Sequence, residues 1–230
     1  MIIKTENLSK IYDEKTMPLM ALDGINLEFG EGEFTAIVGP SGSGKTTFLN
    51  MVGGLDKPSG GTITINGTDI TGMTESKLID FRLHNIGFVF QAYNLLPVLT
   101  AKENISFVML LQKTDPKLMD ARAMELLRQV GLEDKAHVRP SKLSGGQQQR
   151  IAVARALASK PRFILADEPT ANLDTVSAFN LLDIMTRLNE EENITLIFST
   201  HDQRVIERAR RVITLVDGRV SSDEYFDSKN

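Results

Sequence analysis

Residues 35–52 read "TAIVGPSGSGKTTFLNMV", in which a glycine-rich loop stands between an apolar strand-like run and a helical run. The loop, "GPSGSGKT" at 39–46, fits the phosphate-binding pattern G-x-x-x-x-G-K-[ST] in the context that the pattern requires. Gly39, Gly42 and Gly44 allow backbone conformations that other residues avoid, so successive N–H groups can surround an anion at a helix start. The alternative is a Gly/Ser turn that binds nothing, and the strand, motif and helix together argue against it.

The loop ends in Lys45 and Thr46, which are expected to reach the β/γ-phosphates of a nucleotide and to ligate Mg²⁺. A second group for that metal stands in "FILADEPT" at 163–170, where Asp167 ends an apolar strand and Glu168 follows it. Parallel sheets bind ligands beyond the carboxyl ends of their strands, so Asp167 is expected in the Mg²⁺ shell. Glu168 could polarise an attacking water. The alternative is a pair of solvated carboxylates at a strand–loop junction.

Strand-like and helical patterns alternate along the chain. Nearly continuous apolar runs are typical of strands buried on both faces of a parallel sheet, and amphipathic helical periods at 116–130 and 175–189 separate some of them. The alternation predicts an α/β fold with a mostly parallel sheet. The strand-like runs occupy residues 35–39, 86–90, 163–167 and 195–200.

Antiparallel pairing is predicted near both ends of the chain. The run "TITING" at 62–67 alternates and closes in an Asn-Gly turn, and "RVITLVDGRV" at 211–220 has Asp-Gly between two apolar arms. We therefore predict a small antiparallel β layer made of the N-terminal region and the residues near 60, together with a C-terminal hairpin.

The length favours one domain with an insertion. Residues 92–160 show only helical patterns, and the last ten residues are polar. The predicted parts are a core at 1–91 and 161–220, a helical subdomain at 92–160 and a polar tail at 221–230.

Composition limits the partners. The chain has no cysteine, which excludes disulfides and thiolate chemistry, and its net charge is −4 without a long Lys/Arg run, which argues against a nucleic-acid partner. The N-terminus lacks the apolar region of a signal peptide, and no apolar stretch approaches the ~20 residues that span a membrane. Work at a membrane would therefore require another chain to hold this one there.

The stretch "LSGGQQQR" at 143–150 carries a second candidate anion site. Ser144, Gly145 and Gly146 stand just ahead of a helical run, where a small hydroxyl and exposed N–H groups favour an anion. This site has no lysine of its own, so its nucleotide would have to be held elsewhere. The alternative is an ordinary capped helix start.

The sequence alone leaves open the roles of two polar residues at predicted strand ends. His201 follows "TLIFST", and Gln91 follows "IGFVF". A neutral imidazole could bond a γ-phosphate or a water, and an amide could orient water or complete a Mg²⁺ shell. A surface or capping role suits either residue as well.

From Tyr12 to about Val220 these stretches closely resemble the ATPase subunit of ABC transporters, and they occur in the order typical of that family. The matching motifs are the Walker A loop (39–46), the Q-loop (Gln91), the signature "LSGGQ" (143–147), Walker B "ILADE" (164–168), the D-loop "ANLD" (171–174) and the H-loop "STHD" with His201. The resemblance implies an ATPase that uses ATP and Mg²⁺.

Residue roles come with the resemblance. It implies catalytic roles for Glu168, His201, Gln91 and Lys45, and metal contacts from Thr46, Gln91 and Asp167. Tyr12 stands where the family's aromatic residue stacks on adenine. The residues implied to contact nucleotide are Tyr12, Gly39, Pro40, Ser41, Gly42, Ser43, Gly44, Lys45, Thr46, Thr47, Ser144, Gly145, Gly146, Gln147 and Asp174.

The resemblance also implies the partners. In the family two copies pack head to tail around two ATP, and the signature of one copy faces the Walker A loop of the other, so the nucleotide for Ser144 comes from the partner's Lys45 site. A separate membrane permease is the second partner, and no nucleic acid is expected. The expected location is cytoplasmic, peripheral on the cytoplasmic face of the cell membrane through the permease.

Several segments, among them "MVGGLDKPSGG", "LADEPTANLD" and the extended "DEKTMPLMALDGI", resemble the branch that serves lipoprotein-release and macrolide-export permeases. Ala171 departs from the glycine expected in that branch but leaves Asp174 intact. Importer subunits share some of these segments and stay an alternative.

Two other functions agree less well with the sequence. A soluble ABC-type ATPase on DNA is disfavoured by the acidic balance and because no sustained heptads lie between Lys45 and Leu143. Action on ribosomes is disfavoured because such relatives usually join two ABC domains in one chain, and this sequence has one set of motifs. A regulator that does not hydrolyse is disfavoured by Glu168 and His201.

The loop "QAYNLLPVLTAKENI" at 91–105 offers apolar residues that could line a groove for a permease helix or pack the insertion onto the core. Sequence alone weighs these equally, and the resemblance favours the groove. The residues are Tyr93, Leu95, Leu96, Pro97 and Leu99.

Overall fold

The computed structural model describes residues 1–12 and 17–226, and within them it has two β-sheets with helices packed around them. The strands are β1 (Ile3–Tyr12), β2 (Leu19–Phe29), β3 (Phe34–Val38), β4 (Gly60–Ile65), β5 (Thr68–Asp69), β6 (Ile86–Phe90), β7 (Phe163–Asp167), β8 (Thr195–Ser199), β9 (Arg211–Val216) and β10 (Arg219–Tyr225). The α-helices are α1 (Lys45–Val52), α2 (Glu75–Asn85), α3 (Ala101–Leu111), α4 (Pro116–Gln129), α5 (Gly145–Ala158), α6 (Thr175–Glu192) and α7 (Gln203–Ile206).

The larger sheet of the described residues has the order β10-β9-β3-β8-β7-β6, and all its neighbours pair in parallel except the edge strand β10. The α/β fold with a mostly parallel sheet is therefore confirmed. The predicted strand runs correspond to β3, β6, β7 and β8, and the predicted helical periods correspond to α4 and α6.

The apolar strand sequences follow from burial on both faces of this sheet. Ala36 and Ile164 face a core shared with α3, α4, α5 and α6, whereas Ile37 and Leu165 face a core shared with α1 and the second sheet. Successive residues of a strand point to opposite faces, so both parities must be apolar.

The second sheet is antiparallel, in the order β2-β1-β4-β5, and it confirms the predicted antiparallel layer. Phe29 of β2 and Phe48 of α1 lie in the same core, with ring centroids 6.1 Å apart. This packing fixes β1 and β2 beside the helix that begins at the phosphate loop. The predicted extended segment before β2 lies partly outside the described residues, at 13–16.

The C-terminal hairpin is confirmed, but the predicted tail at 221–230 begins too early. Asp217 and Gly218 have φ of 48° and 74°, as a tight hairpin turn requires, and β10 then continues to Tyr225. Asp223 pairs with the buried Arg211 of β9 at 2.7 Å, and the Tyr225 ring lies 4.8 Å from the same guanidinium. These contacts hold a polar sequence in the sheet. Residues 227–230 lie outside the described part of the chain.

Between β6 and β7 the regular structure is helical, as the sequence predicts. Helix α5 packs on α3, α4 and β6, and short 3-10 turns at Glu133–Lys135 and Pro140–Lys142 lead into it. The division into a core and a helical subdomain stays a prediction. No helix of residues 1–12 and 17–226 is both long and apolar enough to cross a membrane.

Candidate active site

The phosphate loop joins β3 to α1. Gly39, Gly42 and Gly44 all have a positive φ, and two of them also lie too close to neighbouring backbone for any side chain. The φ values are 143° at Gly39, 81° at Gly42 and 101° at Gly44. A Cβ on Gly39 would lie 2.1 Å from the Leu215 carbonyl oxygen, and one on Gly44 would lie 2.5 Å from that of Ala21. A Cβ on Gly42 would meet nothing within 4 Å. Gly39 and Gly44 therefore fit the loop against the neighbouring strands, while Gly42 faces open space.

Lys45 closes over this loop. Its Nζ donates to the carbonyl oxygens of Gly39 at 2.8 Å and Pro40 at 3.0 Å. No side chain caps α1 at Gly44, so the first N–H groups of the helix are left for another acceptor. The lysine charge and the uncapped helix start together make a local site for an anion.

Thr46 and Asp167 meet although they are far apart in sequence. The Thr46 hydroxyl donates to Asp167 Oδ1 at 3.1 Å. Burial raises the pKa of Asp167, and the neighbouring Glu168 charge raises it further, against the lowering effect of hydrogen bonds from Ser199 and Thr46. Added positive charge at this position would favour the ionised carboxylate.

Glu168 directly follows β7, and its backbone leaves the extended conformation of the strand. Its φ is 46°, and its N–H donates to the Ser199 carbonyl oxygen at 2.9 Å. His201 Nδ1 lies 2.7 Å from Glu168 Oε1, and the Thr200 hydroxyl lies 3.4 Å from Oε2. The carboxylate side chain is 16 % exposed, whereas the imidazole is 75 % exposed and stands at the solvent side.

These groups surround an open cavity of about 350 Å³. Tyr12 forms part of its wall; the Tyr12 hydroxyl bonds Asp56 at 3.0 Å, and the Lys10 ammonium lies 4.8 Å from the ring centroid. The apolar start of β2 forms another part. The cavity is lined by Tyr12, Leu19, Met20, Ala21, Ser41, Gly42, Ser43, Gly44, Lys45, Thr46, Thr47, Glu168 and Ser199.

The second candidate anion site lies apart from that cavity. Ser144 caps α5 through a reciprocal pair: its hydroxyl accepts from the Gln147 N–H at 3.3 Å, and Gln147 Oε1 accepts from the Ser144 N–H at 2.9 Å. A Cβ on Gly146 would lie 2.6 Å from Ser177 Oγ, and one on Gly145 would lie 2.8 Å from the Tyr93 hydroxyl. Among the described residues, none of this stretch lines the phosphate-loop cavity.

The comparison with protein families decides the identity. Residues 22–171, well over half of the chain, match the ABC transporter family. The chain belongs to the ABC transporter family. It is the ATP-binding subunit of such a transporter and forms an ABC ATPase domain.

Relatives match the ABC domain over nearly its whole length. An uncharacterised ABC transporter ATP-binding protein of Thermotoga maritima is 44% identical over 97% of this chain and 95% of its own length. A lipoprotein-releasing system ATP-binding protein, LolD 1, of Rhodopseudomonas palustris is also 44% identical, over 96% of this chain and 98% of its own.

Solved structures agree with the fold of this ABC domain. The dimeric structure of the ATP-binding cassette MJ0796 in a post-hydrolysis state bound to ADP and Pi has a TM-score of 0.91 and 40% identity. It covers 99% of this chain and 100% of the other.

Gln91 and Asp174 are among the residues of the ABC motifs that do not line the cavity. Gln91 donates through Nε2 to Asn172 Oδ1 at 3.4 Å, and Asn172 Nδ2 donates back to the Gln91 carbonyl oxygen at 3.1 Å. Asp174 caps α6 by accepting from the Ser177 N–H at 3.0 Å, and hydrogen bonds from Ser177 lower its pKa. Their implied roles toward nucleotide, and that of Gln91 toward a metal, stay predictions.

The loop after Gln91 divides between the two interpretations given above. Leu95 packs against the core, while Leu96 and Pro97 are exposed, and the adjoining Val98 is 72 % exposed. Tyr93 has φ of 57°, and its carbonyl oxygen accepts from the Arg155 guanidinium at 2.9 Å. The loop is therefore anchored on its inner side and apolar on its outer side.

Sequence reasoning missed the residues that hold the motifs in place. Asn172 pairs with Gln91, Ser199 accepts from Glu168, and Asp202 joins Thr170 at 2.6 Å. The fourth of these residues is Gln149, which is fully buried and donates to the carbonyl oxygens of Phe90 and Pro169. Asp202 stands in the recognised "STHD", but the partners of the others depend on tertiary contacts that no local pattern contains.

Proposed function

We propose that this ABC subunit binds Mg·ATP in the phosphate-loop cavity, with Glu168 as the general base for hydrolysis. The observation that carries the proposal is the convergence of an uncapped helix start, Lys45, the Thr46–Asp167 pair and Glu168 at one cavity. The apolar wall and the Tyr12 ring suit a base, while the loop suits the phosphates.

The residues present fit a magnesium ion. Thr46 and Asp167 offer a hydroxyl and a carboxylate oxygen 3.1 Å apart, and burial makes the Asp167 charge costly without a cation. Oxygen ligands suit Mg²⁺, which usually takes one or two protein groups and leaves the rest to phosphates and waters. The described residues accordingly hold no cluster of three or more His, Asp or Glu that would bind a metal alone. When bound, the ion would neutralise charge on the phosphate oxygens.

Glu168 and His201 supply the proton chemistry in this proposal. Glu168 is mostly shielded from solvent and would accept a proton from the attacking water. His201, 2.7 Å away, orients that carboxylate from the solvent side. The neighbour MJ0796 was captured after hydrolysis, which supports the same reaction here.

A second copy of this chain would complete the site. Helix α5 starts at an exposed Ser144 outside its own cavity, so this end can face a nucleotide on another copy, although the N–H groups of Ser144 and Gln147 are bonded within the cap. MJ0796 forms a dimer in its solved structure. We propose the same head-to-tail closure around two ATP.

The remaining partner in the proposal is a membrane permease, which would hold the subunit at the cytoplasmic face. Exposed apolar side chains occur on α2, α3 and the loop before α3; Gln112 after α3 donates to the Leu83 carbonyl oxygen in α2 at 3.0 Å, which brings two of these elements together. Similarity to LolD 1 supports a permease of the lipoprotein-release type. The exposed residues are Ile79, Leu96, Val98, Phe107, Leu110 and Leu111. Nothing in the described residues or the relatives favours action on DNA or ribosomes.

The general-base assignment is tested by Glu168→Gln. An amide cannot accept the proton, so hydrolysis should fall by about 100-fold or more while ATP affinity changes by less than about threefold. Trapped ATP should convert the mutant to a dimer on size-exclusion chromatography, and removal of ATP should return the monomer. Exposed Glu125→Gln serves as a control that should behave as wild type; hydrolysis by Glu168→Gln at the wild-type rate would refute the assignment.

The permease surface is tested by co-expression with the membrane protein encoded beside this chain. Val98→Asp places a charge on the exposed loop and should reduce co-purification by about tenfold, with ATPase activity of the isolated subunit retained. Val216→Asp, another exposed apolar position far along the chain on β9, is the control. Equal loss with both variants would contradict the assigned surface.

A further inference from the structure

Gln149 lies inside α5 and reaches the backbone at two of the strand ends that carry motif residues, those of β6 and β7. The residue is 0 % exposed. Its Nε2 donates to the carbonyl oxygen of Phe90 at 3.3 Å and to that of Pro169 at 2.9 Å. Phe90 directly precedes Gln91, and Pro169 directly follows Glu168. One amide therefore joins the signature helix to the backbone on either side of the site.

The same amide is kept in an unfavourable setting. Its Oε1 has no hydrogen-bond partner among the described residues. A buried acceptor without a partner costs free energy, and an apolar side chain of the same length would avoid that cost. Packing alone would therefore favour Met or Leu at this position, and the two N–H bonds are what the glutamine adds.

Those bonds act next to a strained residue. Glu168 has φ of 46°, which is unfavourable for a residue other than glycine unless its surroundings fix it. Ser199 holds the turn from one side by accepting the Glu168 N–H at 2.9 Å. Gln149 holds the other side through the carbonyl oxygen of the next residue, Pro169.

We propose that Gln149 is a positioning residue for ATP hydrolysis, which sets the backbone of Glu168 and of the Q-loop start according to the position of the signature helix. This inference rests on the proposed role of Glu168 as general base. It predicts that loss of the amide impairs the chemical step and leaves nucleotide binding intact, because Gln149 touches no residue of the phosphate loop in the contacts above.

The test is Gln149→Met, measured for kcat and for equilibrium ATP binding. We expect kcat to fall about 10- to 100-fold, because displacement of a catalytic group by a fraction of an ångström to an ångström has effects of that size. The ATP Kd should stay within about twofold of wild type.

A matched control separates positioning from stability. Asn189 is also buried, at 2 % exposed, and its Nδ2 donates to the carbonyl oxygens of Ile194 at 2.7 Å and Gly32 at 3.0 Å. Gly32 and Ile194 lie just before the amino ends of β3 and β8, whereas the site lies at the carboxyl ends of the strands. Asn189→Leu should lower the melting temperature but leave kcat within about twofold.

Gln149→Glu provides a second measurement if the Met variant does not fold. A protonated carboxyl can still donate to one carbonyl oxygen, whereas the carboxylate cannot. The ratio of its kcat to that of wild type should therefore rise from about pH 8 to about pH 6, since burial raises the pKa of a carboxyl.

The outcomes are separable. Wild-type kcat in Gln149→Met, a joint loss of kcat and ATP affinity, or a flat pH ratio in Gln149→Glu would each overturn the positioning role. If Glu168→Gln hydrolyses normally, the proposed function fails first, whatever Gln149 does.

Discussion

At the scale of single residues, Asp202 makes short charge-assisted contacts beside the site. Its carboxylate accepts from the Arg204 guanidinium at 2.7 Å and from the Thr170 hydroxyl at 2.6 Å. Hydrogen bonding from Arg204 is the main reason that the pKa of Asp202 falls to about 2. Thr170 follows Pro169, so the ionised carboxylate ties the turn after Glu168 to the segment after His201.

Asp202→Asn should therefore destabilise the fold in a pH-dependent way. The folded-state pKa of about 2 lies below the ordinary 3.8, so the stabilisation is present above about pH 4 and is lost as pH falls through about 2. We expect a loss of about 1–2 kcal/mol at neutral pH, since the amide keeps part of the hydrogen bonding. Urea unfolding should show that the free energies of unfolding of wild type and Asp202→Asn differ by a constant amount from about pH 7 to about pH 5. This difference should narrow below about pH 4. A difference independent of pH would show that packing, and not charge, is responsible.

At the scale of elements, α5 and α6 meet where their capped starts lie. Gly146 of α5 packs on Ser177 of α6, and Ser177 in turn donates its N–H to Asp174. The signature glycine is thus required by a helix–helix contact within one copy, in addition to any contact with a nucleotide on another.

Gly146→Ala should push the two helix starts apart. The added Cβ would lie 2.6 Å from Ser177 Oγ and 2.8 Å from Ser177 Cβ, which is too close to persist. We expect ATPase activity to fall at least about tenfold while the isolated subunit binds ATP normally, because the phosphate loop is untouched. The double variant Gly146→Ala/Ser177→Gly removes both clashing atoms and should regain part of the lost activity. Ser177→Gly alone is the control for the weakened α6, and absence of any rescue would place the defect at the nucleotide rather than at the helix contact.

Elements with a strong burial pattern could be predicted from the sequence. The strands β3, β6, β7 and β8 are buried on both faces and read as apolar runs, and α4 and α6 have clear amphipathic faces. Helix α2 has no such signal, because Leu78 is its only buried residue in the described chain. Strand β10 is polar and mostly exposed, and it is held by backbone pairing and by Asp223 on Arg211.

The candidate site was predictable to the extent that it is local. The phosphate loop and Walker B are contiguous motifs, so their residues could be named in advance. The contacts between them could not, since Thr46–Asp167, Gln91–Asn172 and Gln149–Pro169 depend on how the chain folds back. Local pattern gave the capped helix start at Ser144 only as an alternative, and the structure shows the cap in the single copy.

At the scale of the whole molecule, the two helix starts are complementary. The start of α1 is uncapped and has Lys45 beside it, whereas the start of α5 is capped by Ser144 and Gln147, is exposed and lies away from the loop cavity. A single copy therefore has an open phosphate-loop cavity and a signature that lies away from it. Two-fold pairing of identical chains would bring each signature to the other cavity.

Mixing two inactive variants tests this arrangement. Lys45→Ala removes the charge over the phosphate loop and should weaken ATP binding about 10- to 100-fold, as expected for loss of a charge-assisted hydrogen bond. Ser144→Arg puts a bulky side chain on the exposed signature and should block closure while its own loop still binds ATP at the wild-type affinity. Neither variant should hydrolyse ATP appreciably alone.

In a mixed dimer one site carries both lesions, and the other pairs an intact Lys45 with an intact Ser144. Mixing should therefore restore a part of the activity if one site can turn over by itself. Ser144→Lys is a smaller substitution of the same charge and should show the same separation of binding from hydrolysis. ATP titration of the Ser144→Arg monomer is the decisive measurement, because a loss of binding there would place the signature at its own chain's nucleotide and exclude the two-copy site.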